Sequence, residues 1–572
     1  MKYNKTLSFF SKSCSYQCTL VLITLIFFTP STLFRSVYQI YLASSAFTDS
    51  LQEPEFYTNS QDSVFPRIIP QKRIGINSIS TSTYSIDEVF NGYNLILFEQ
   101  ENRENSSDKI AFLLIVDMDG SIIRQKEIIR GSYLLADYSL ELINSTTILL
   151  RIGSELTLWN FDTDFTQTLF PLGEKHHHDY EYNPFTNTIL TLKKVFTTYP
   201  NGSRYRFDEI VEYNTKGESI WSLDIRAFIP PTHWCPYHDM LGKTADVTHA
   251  NSLFWDVDTD IIFLNLRNTN TFYKIDHKTG EVLWGLGEHG NFSLFDISGQ
   301  NKTNLFFHAH SIEKVDKNTF ILFDNDFHNQ ENRMSQQSRI LEIKIDEKTM
   351  TANETWIWNA PKEYYCSYWG DADRLPNGNR LGTFGTKTHP NTNIGARAAE
   401  INDEGVIVWD LHFLNNDEFT YGIYRMDRFR FSPVITDEEE IFIPETDKST
   451  VQIETWYNFR SKRKFNGSYT IFLDNQEMES GTHTFNKYWL PKLIEFSSEL
   501  LTKGNHNITL ILKDEAGHKT TRKIIIAVGM KNSREISVDF LFIFLGLSLF
   551  TIIFGVHKKK KNNFCRLNRT KE

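Results

Sequence analysis

The feature that most constrains the fold is a strand-rich unit that recurs between about Tyr84 and Phe431. Short apolar runs alternate with Asp, Asn and Gly turns, and no helical periodicity is sustained. The last strand of four units contains a tryptophan: Trp221, Trp284, Trp358 and Trp409. Units of about four strands that recur every 40 to 75 residues or so are typical of β-propeller blades. An open stack of β-sandwiches would not explain the repeated tryptophan strand.

Earlier apolar runs around Leu95 and Thr147 add two weaker units, and residues 65–80 are a candidate for a further one. We therefore predict an all-β protein in which residues 84–431 form a six-bladed β-propeller, or a seven-bladed one if that candidate contributes. Residues 438–530 contain several alternating runs between turn residues. This pattern predicts a C-terminal immunoglobulin-like β-sandwich.

Composition agrees with strands and excludes one class of partner. Aromatic residues make up 14% of the chain, which favours strands over helices. The net charge is −11, so the overall basic footprint of a nucleic-acid-binding protein is missing. Of the cysteines, only Cys235 and Cys366 lie in the bulk of the chain, and no C-x-x-C pair exists. A disulfide between them and two separate thiols are both open alternatives.

Both ends of the chain are membrane-like. Residues 1–46 begin with several lysines and continue into an apolar run, which predicts a cytoplasmic basic end and either a signal peptide or a signal anchor. Residues 540–556 carry no charge and precede a basic tail, 557–572. We predict a transmembrane helix with a cytoplasmic tail, which places the propeller and the sandwich on the extracellular side of the cell membrane. Glycosylation triplets such as Asn105-Ser-Ser and Asn144-Ser-Thr agree with that location.

Histidines are concentrated where successive units begin. They are His176-His177-His178, His249, the pair His308 and His310, and then His389. Because the innermost strands of a propeller surround its channel, we expect these imidazoles to converge at one mouth of that channel. Clustered imidazoles are typical of a metal site or of a nucleophile with acid–base helpers.

Ordered motifs across residues 84–431 resemble those of the arylsulfotransferase family. They are Phe90-Asn91-Gly92-Tyr93, Asp246-Val-Thr-His249-Ala-Asn251, Phe307-His-Ala-His310, Leu375-Pro-Asn-Gly, Phe384-Gly385-Thr-Lys-Thr-His389 and Tyr424-Arg425-Met-Asp-Arg428. The resemblance implies a six-bladed propeller that moves a sulfuryl group from a phenol ester to another phenol. It also implies a covalent sulfohistidine and no nucleotide sulfate donor.

The resemblance also assigns residues. The family's nucleophile lies in a Phe-Gly-x-x-x-His context, which His389 matches, and its helper histidines match His249 and His310. The implied substrate-binding residues are Asn251, Arg267, His308 and Arg333. Arg333 follows a segment that departs from the family's glycine-rich pattern. No cofactor or metal is expected, and the partners are a small phenolic sulfate donor and a phenolic acceptor.

Two alternatives from other classes stay open at this point. One is a non-catalytic propeller that acts as a recognition module at the cell surface. The other is a metalloenzyme with His178, His249 and His310 as ligands.

Overall fold

The computed structural model describes residues 79–235, 244–326, 337–385, 393–435, 440–444 and 450–529. These residues form strands and no α-helix, which confirms the all-β prediction. The short 3-10 turns are Leu135–Asp137, Ile225–Ala227, Pro231–His233, Arg267–Thr269, Lys362–Tyr364 and Ser498–Leu500. No helix in this part of the chain is long and apolar enough to cross a membrane. The predicted segments 1–46, 540–556 and 557–572 lie outside the described residues.

Twenty-eight strands lie in the described residues up to Phe429, which we call the six-sheet region. The first twelve are β1 (Ile79–Tyr84), β2 (Tyr93–Asn102), β3 (Lys109–Val116), β4 (Ile122–Arg130), β5 (Leu140–Leu142), β6 (Thr147–Ile152), β7 (Glu155–Asn160), β8 (Phe165–Pro171), β9 (His176–Asn183), β10 (Thr188–Thr198), β11 (Arg204–Asn214) and β12 (Ser219–Asp224). The next seven are β13 (Thr244–Asp246), β14 (Ala250–Asp256), β15 (Ile261–Leu266), β16 (Thr271–Asp276), β17 (Val282–Gly287), β18 (Ser293–Phe295) and β19 (Asn301–Lys302). The last nine are β20 (His310–Lys314), β21 (Thr319–Asp324), β22 (Arg339–Asp346), β23 (Thr351–Asn359), β24 (Asp371–Arg374), β25 (Arg380–Phe384), β26 (Ile394–Ile401), β27 (Ile407–Leu414) and β28 (Phe419–Phe429).

The described strands of this region form six largely antiparallel sheets. Their orders are β28-β2-β3-β4, β5-β6-β7-β8, β12-β11-β10-β9, β14-β15-β16-β17, β19-β18-β23-β22-β21-β20 and β1-β27-β26-β25-β24. Strand β28 pairs with β2, with Tyr93 opposite Phe429, so the end of the region is joined to its beginning. The edge strands β5, β9, β14, β20, β24 and β28 contact one another in this order.

The recurring unit of the sequence is confirmed strand by strand. The four tryptophans lie in β12, β17, β23 and β27, each the fourth strand of its meander. Strand β1, which overlaps the end of the candidate segment 65–80, does not begin a sheet of its own. It pairs with β27 instead, so the described part of that segment adds a fifth strand to an existing sheet.

Residues 434–528 form a second region, which we call the two-sheet region. Its strands are β29 (Val434–Ile435), β30 (Glu440–Ile443), β31 (Thr450–Trp456), β32 (Phe465–Leu473), β33 (Gln476–Phe485), β34 (Lys492–Ser497), β35 (Gly504–Lys513) and β36 (Lys519–Val528). The sheets have the orders β29-β31-β34 and β30-β36-β35-β32-β33. Ile508, Leu510 and Leu512 alternate with more exposed residues, which gives β35 one face in the core.

The two regions share one continuous hydrophobic cluster that is flanked by ion pairs. Trp489 of the two-sheet region packs edge-on against Phe90, with ring centroids 5.4 Å apart. Arg460 Nη1 lies 2.8 Å from the Glu313 carboxylate, and Lys462 Nζ lies within 2.7 Å of two further glutamates. The contact therefore combines apolar packing with cations of one region against carboxylates of the other.

Cys235 and Cys366 are both buried free thiols. The sequence leaves open a disulfide or two separate thiols, and the structure has the two separate thiols.

Candidate functional site

Three of the predicted histidines line one cavity of ≈360 Å³, which we call the histidine cavity. The imidazoles are those of His178, His249 and His310. Cationic and aromatic side chains also line it, among them Lys194, Arg206, Arg267, Tyr368 and Trp369. The expected convergence of imidazoles from successive units is confirmed for these three residues.

The backbone at the first strand of three sheets orients these side chains. His178 lies in β9 at a bulge, because Leu192 pairs with His177 and Thr191 with Tyr180. His249 directly precedes β14, and His310 is the first residue of β20. His178 and His249 have φ values of +62° and +45°, a left-handed conformation that non-glycine residues rarely adopt. Such conformations persist where the surrounding structure holds them, and they are frequent at functional sites.

His178 is held by a buried chain of polar groups. Its Nδ1 contacts Nδ1 of His177, and Nε2 of His177 lies 3.0 Å from Oδ1 of Asp208. The other carboxylate oxygen of Asp208 accepts hydrogen bonds from the Thr248 hydroxyl and the Ala250 amide. Burial alone would raise the pKa of Asp208, but His177 and these donors lower it, so the carboxylate stays ionised. Because Nε2 of His177 faces this carboxylate, we place the proton of His177 on Nε2 and that of His178 on Nδ1, which leaves Nε2 of His178 as an acceptor.

His249 is held by Asp246 in the same way. Nδ1 of His249 lies 2.6 Å from Oδ2 of Asp246, and Arg206 Nη2 donates to that same oxygen at 2.7 Å. Because a carboxylate is the strongest acceptor nearby, we place the proton of His249 on Nδ1. Burial raises the pKa of Asp246 to about 6, with Arg206 acting in the opposite direction. The carboxylate is therefore ionised at neutral pH.

His310 donates from Nδ1 to the side-chain oxygen of Asn325, at 2.6 Å. The orientation of the Asn325 amide is fixed because its nitrogen donates to the carbonyls of Cys366 and Trp369, at 2.7 and 2.8 Å. Only 2% of His310 is exposed, so its position is set by the fold rather than by solvent.

The three imidazoles therefore share one arrangement, in which a polar partner engages Nδ1 and Nε2 is left as an acceptor. Burial lowers the pKa of all three well below the usual value, and the positive charge of Arg267 lowers it further for His249 and His310. The rings of His178 and His249 lie 5.2 Å apart between centroids. At neutral pH the cavity thus presents uncharged imidazoles beside guanidinium groups, a combination suited to nucleophilic or basic chemistry on an anion.

The other predicted site residues lie in different places. Arg267 lines the histidine cavity and donates to the Asn268 side chain and the Ser367 carbonyl. Asn251 is fully buried beside the cavity and donates to the carbonyl of Ala309, the residue before His310. His308 is also fully buried, and it is not among the side chains that line the cavity. His389 and Arg333 lie outside the described residues.

Metal-ligand geometry is found elsewhere. Among the described residues, one group of three side chains brings possible metal-ligand atoms within 4.8 Å of one another, and it consists of Asp371, Asp373 and Asp427. The His178, His249 and His310 set of the metalloenzyme alternative does not meet that spacing in this part of the chain.

Sequence reasoning missed the partners that orient the imidazoles. Asp246 could have been found, because it precedes His249 by three residues within the quoted motif. Asn325 likewise lies in the Asp-Asn pair that follows a strand. Asp208 gives no such signal, since it is one of many acidic residues in strands and its contact with His177 depends on the pairing of β10 with β11.

One comparison with known proteins identifies the family of the chain. The family model for arylsulfotransferase (ASST) matches residues 79–425, which contain all three cavity histidines. The chain belongs to the arylsulfotransferase family. Membership supports a transferase with arylsulfotransferase-like activity at the level of the family. No curated protein matches this arylsulfotransferase-family chain.

Several solved structures are similar to this arylsulfotransferase-family chain, at low identity. A hypothetical selenium-binding protein from Sulfolobus tokodaii is 8% identical with a TM-score of 0.31, covering 76% of this chain and 94% of its own. A luciferin-regenerating enzyme is 8% identical with a TM-score of 0.30, and the match covers 60% of this chain and 99% of the enzyme. The hydrazine synthase of Kuenenia stuttgartiensis is 7% identical with a TM-score of 0.26, and the match covers 64% of this chain and 74% of the synthase chain. With TM-scores below 0.5, these likenesses identify neither the fold nor the function.

Proposed function

We propose that the six sheets are the blades of one propeller, and that the histidine cavity at its axis transfers a sulfuryl group between phenolic compounds through a sulfohistidine. The observation that carries the proposal is the convergence of three neutral imidazoles, each engaged at Nδ1, beside Arg206 and Arg267. The series of edge strands from β5 to β28, each in contact with the next, supports the propeller. The two-sheet region is proposed as an immunoglobulin-like sandwich.

The charge of the cavity suits an aryl sulfate. The substrate carries one negative charge on its sulfuryl oxygens, and Arg206, Arg267 and Lys194 bring positive charge to the wall. Arg206 is paired there with Asp246 and Lys194 with Asp137, and both carboxylates also line the cavity. A loose sulfuryl-transfer transition state keeps charge on the peripheral oxygens, as in phosphoryl transfer, so these cations stabilise it. The rings of Tyr368 and Trp369 provide an apolar surface for the phenol.

The chemical step follows from the imidazole arrangement. The Nε2 lone pair of the nucleophilic histidine forms an N–S bond while the S–O bond of the donor ester breaks, and the phenolate leaves with the electron pair. A second phenol then gives its proton to a neutral imidazole, and its oxygen forms an S–O bond while the N–S bond breaks and its electron pair returns to Nε2. The imidazolium releases the proton to solvent, where the departed phenolate takes up a proton. From the Phe384-Gly385-x-x-x-His motif we propose His389 as the nucleophile, with His249 and His310 as acid–base partners. Asn251, His308 and Arg333 remain proposed substrate-binding residues together with Arg267.

The cellular setting is proposed from the sequence. The apolar segment 540–556 and the basic tail 557–572 support a membrane anchor with the catalytic region on the extracellular side. Protease treatment of intact cells tests this topology, since a tag placed after Glu572 should be protected. Removal of the tag from outside would reverse the assignment.

Sulfuryl transfer is tested by incubating the purified full-length protein with nitrophenyl sulfate and phenol, and by following nitrophenol release. In a second reaction without acceptor, mass spectrometry of the digested protein locates the acid-labile sulfo group. We expect the label on the peptide that contains His389, and loss of both label and turnover in His389→Ala. His506→Ala, in the two-sheet region, is the control and should retain both.

The remaining outcomes separate the alternatives. A label on the peptide of His178, His249 or His310 would keep the reaction but move the nucleophile to that residue. Neither label nor nitrophenol release, with saturable binding of the aryl sulfate, would leave the recognition module as the function.

A further inference from the structure

A second cavity lies between the six-sheet and two-sheet regions, and seven carboxylates and four cationic side chains line it. Its volume is ≈80 Å³. The cations are paired with carboxylates outside the aspartate cluster described below: Arg425 with Asp179, Arg428 with Glu400, Arg460 with Glu313, and Lys462 with Glu141 and Glu181. Four of the seven carboxylates come from three neighbouring edge strands: Glu313 of β20, Asp371 and Asp373 of β24, and Asp427 of β28. We call it the acidic cavity. It contains none of the three histidines of the proposed transfer reaction.

Two of these carboxylates have no neutralising contact. Asp373 is 5% exposed, and within the described chain it makes no hydrogen bond and no ion pair although it faces the cavity. Asp427 likewise has neither kind of partner in the described ranges. Glu313, by contrast, pairs with Arg460 at 2.8 Å. Arg460 acts on Asp373 through its charge, but its guanidinium pairs with Glu313. A buried carboxylate without a contacting partner is costly, so Asp373 still needs a proton or a cation in direct contact.

Asp371 shows how the cluster is held in place. It accepts hydrogen bonds from the Ser311 hydroxyl and from the amide of Met426, which is the residue before Asp427. These bonds join β24 to the strands on both of its sides, so the three aspartates are brought together by the series of edge strands. Their possible ligand atoms lie within 4.8 Å of one another.

Carboxylates of the cluster repel one another. Burial raises the pKa of all three aspartates, and repulsion from neighbouring carboxylates raises it further. Arg425 acts in the opposite direction on Asp371 and Asp427, but its guanidinium is engaged by Asp179 in two contacts of 2.6 and 3.0 Å.

We propose that Asp371, Asp373 and Asp427 bind a divalent cation with the chemistry of Ca²⁺. Carboxylate oxygens are the ligands that hard cations take, and at a Ca–O distance of about 2.3–2.6 Å two ligands of one ion lie up to about 5 Å apart. The spacing of the cluster therefore fits Ca²⁺ as it stands. Mg²⁺ demands a near-ideal octahedron at about 2.1 Å and keeps several waters, for which a cavity of ≈80 Å³ leaves little room.

The cation has a structural consequence. It links β24 with β28, and β28 is the strand that joins the end of the six-sheet region to its beginning. Binding to the folded state alone therefore stabilises the closure of the region by mass action.

The test uses the full-length protein, stripped with a chelator, then titrated with CaCl₂ or MgCl₂ in a calorimeter and by thermal unfolding. We expect saturable Ca²⁺ binding, a higher thermal midpoint with Ca²⁺, and at least tenfold weaker binding of Mg²⁺. Asp373→Asn and Asp427→Asn should each weaken Ca²⁺ binding at least tenfold. Glu354→Gln is the matched control, because Glu354 is a buried carboxyl with a raised pKa outside the acidic cavity. This variant should bind Ca²⁺ normally.

The two aspartate variants also carry an internal check on folding. Each removes a repulsive charge, so in chelator its thermal midpoint should equal or exceed that of the wild type, whereas in Ca²⁺ it should fall below. The absence of saturable Ca²⁺ binding, or binding and stabilisation that persist in both variants, overturns the proposal. Equal affinity for Mg²⁺ overturns the assignment to Ca²⁺.

Discussion

Lys462 neutralises two buried glutamates at the contact between the two-sheet and six-sheet regions. Its Nζ lies 2.7 Å from Glu141 and 2.6 Å from Glu181, and the three side chains are 12%, 14% and 8% exposed. Replacement by methionine keeps most of the volume and removes the charge. Lys462→Met therefore leaves two carboxylates facing each other in a buried place.

The loss of folding free energy on this substitution can be estimated from the buried ion pairs, and it depends on pH. Removal of one partner from a buried ion pair typically costs about 3–5 kcal/mol of the free energy of unfolding. Burial already raises the pKa of Glu181 to about 8, with Lys462 acting to lower it. A carboxyl with a raised pKa in the folded state binds its proton more tightly than in the unfolded chain, so stability falls as the pH rises through that window. Without Lys462 the folded-state pKa of Glu181 lies above 8, so the cost of Lys462→Met should grow as the pH rises past about 8 and should be smaller at pH 5.

Equilibrium urea unfolding, followed by tryptophan fluorescence at pH 8.5 and pH 5, measures the effect. Trp489 is a suitable reporter because it is buried at the same contact. Lys464→Met, at an exposed position two residues away, is the control and should change stability little. Adding Glu141→Gln and Glu181→Gln to Lys462→Met should recover most of the loss at pH 8.5. An equal penalty at both pH values, or no recovery in the triple variant, would show that Lys462 acts through packing instead of charge.

Three further predictions concern the histidine cavity. Asp246→Asn removes the carboxylate that holds Nδ1 of His249, so turnover in the nitrophenol assay should fall about 10²–10⁴-fold. An unchanged rate would show that Asp246 does not orient His249 for the reaction. Trp369→Ala removes an apolar wall, so the KM for phenol should rise several-fold, and an unchanged KM would exclude stacking there. Because the pKa values of His249 and His310 are lowered well below 6.5, both imidazoles stay neutral at mildly acidic pH. NMR titration of these two imidazoles should therefore show no protonation near pH 6.5, and a transition of either ring centred there would contradict the assignment.

The sequence predicts the architecture where the signal is repeated. The tryptophan in the last strand of four units and the histidines at the first strands recur, so several independent copies support the same register. The six-sheet region and the meeting of His178, His249 and His310 could be predicted for this reason. Strand β1 could not be placed in the same way, because a single edge strand has no repeat to fix its partner.

The residues that hold the imidazoles in place could not be predicted, because their positions depend on contacts between strands that are distant in the sequence. Asp208 and His177 meet only when β9, β10 and β11 pair in their observed registers, and the bulge at His178 decides which way its ring points. Lys462 is more than 280 residues from the glutamates that it neutralises. In the sequence, each of these residues has the same appearance as a polar residue on a solvated face.

Arg425 connects the electrostatics of the histidine and acidic cavities. Its guanidinium donates to Asp179, to the Asn251 carbonyl and to the Ser139 hydroxyl. Its charge lowers the pKa of His310 and also that of Asp371 and Asp427. One buried cation therefore disfavours the protonated form of an imidazole in one cavity and of two carboxyl groups in the other. Because both effects come from the same side chain, the charge state of either cavity is not set independently of the other.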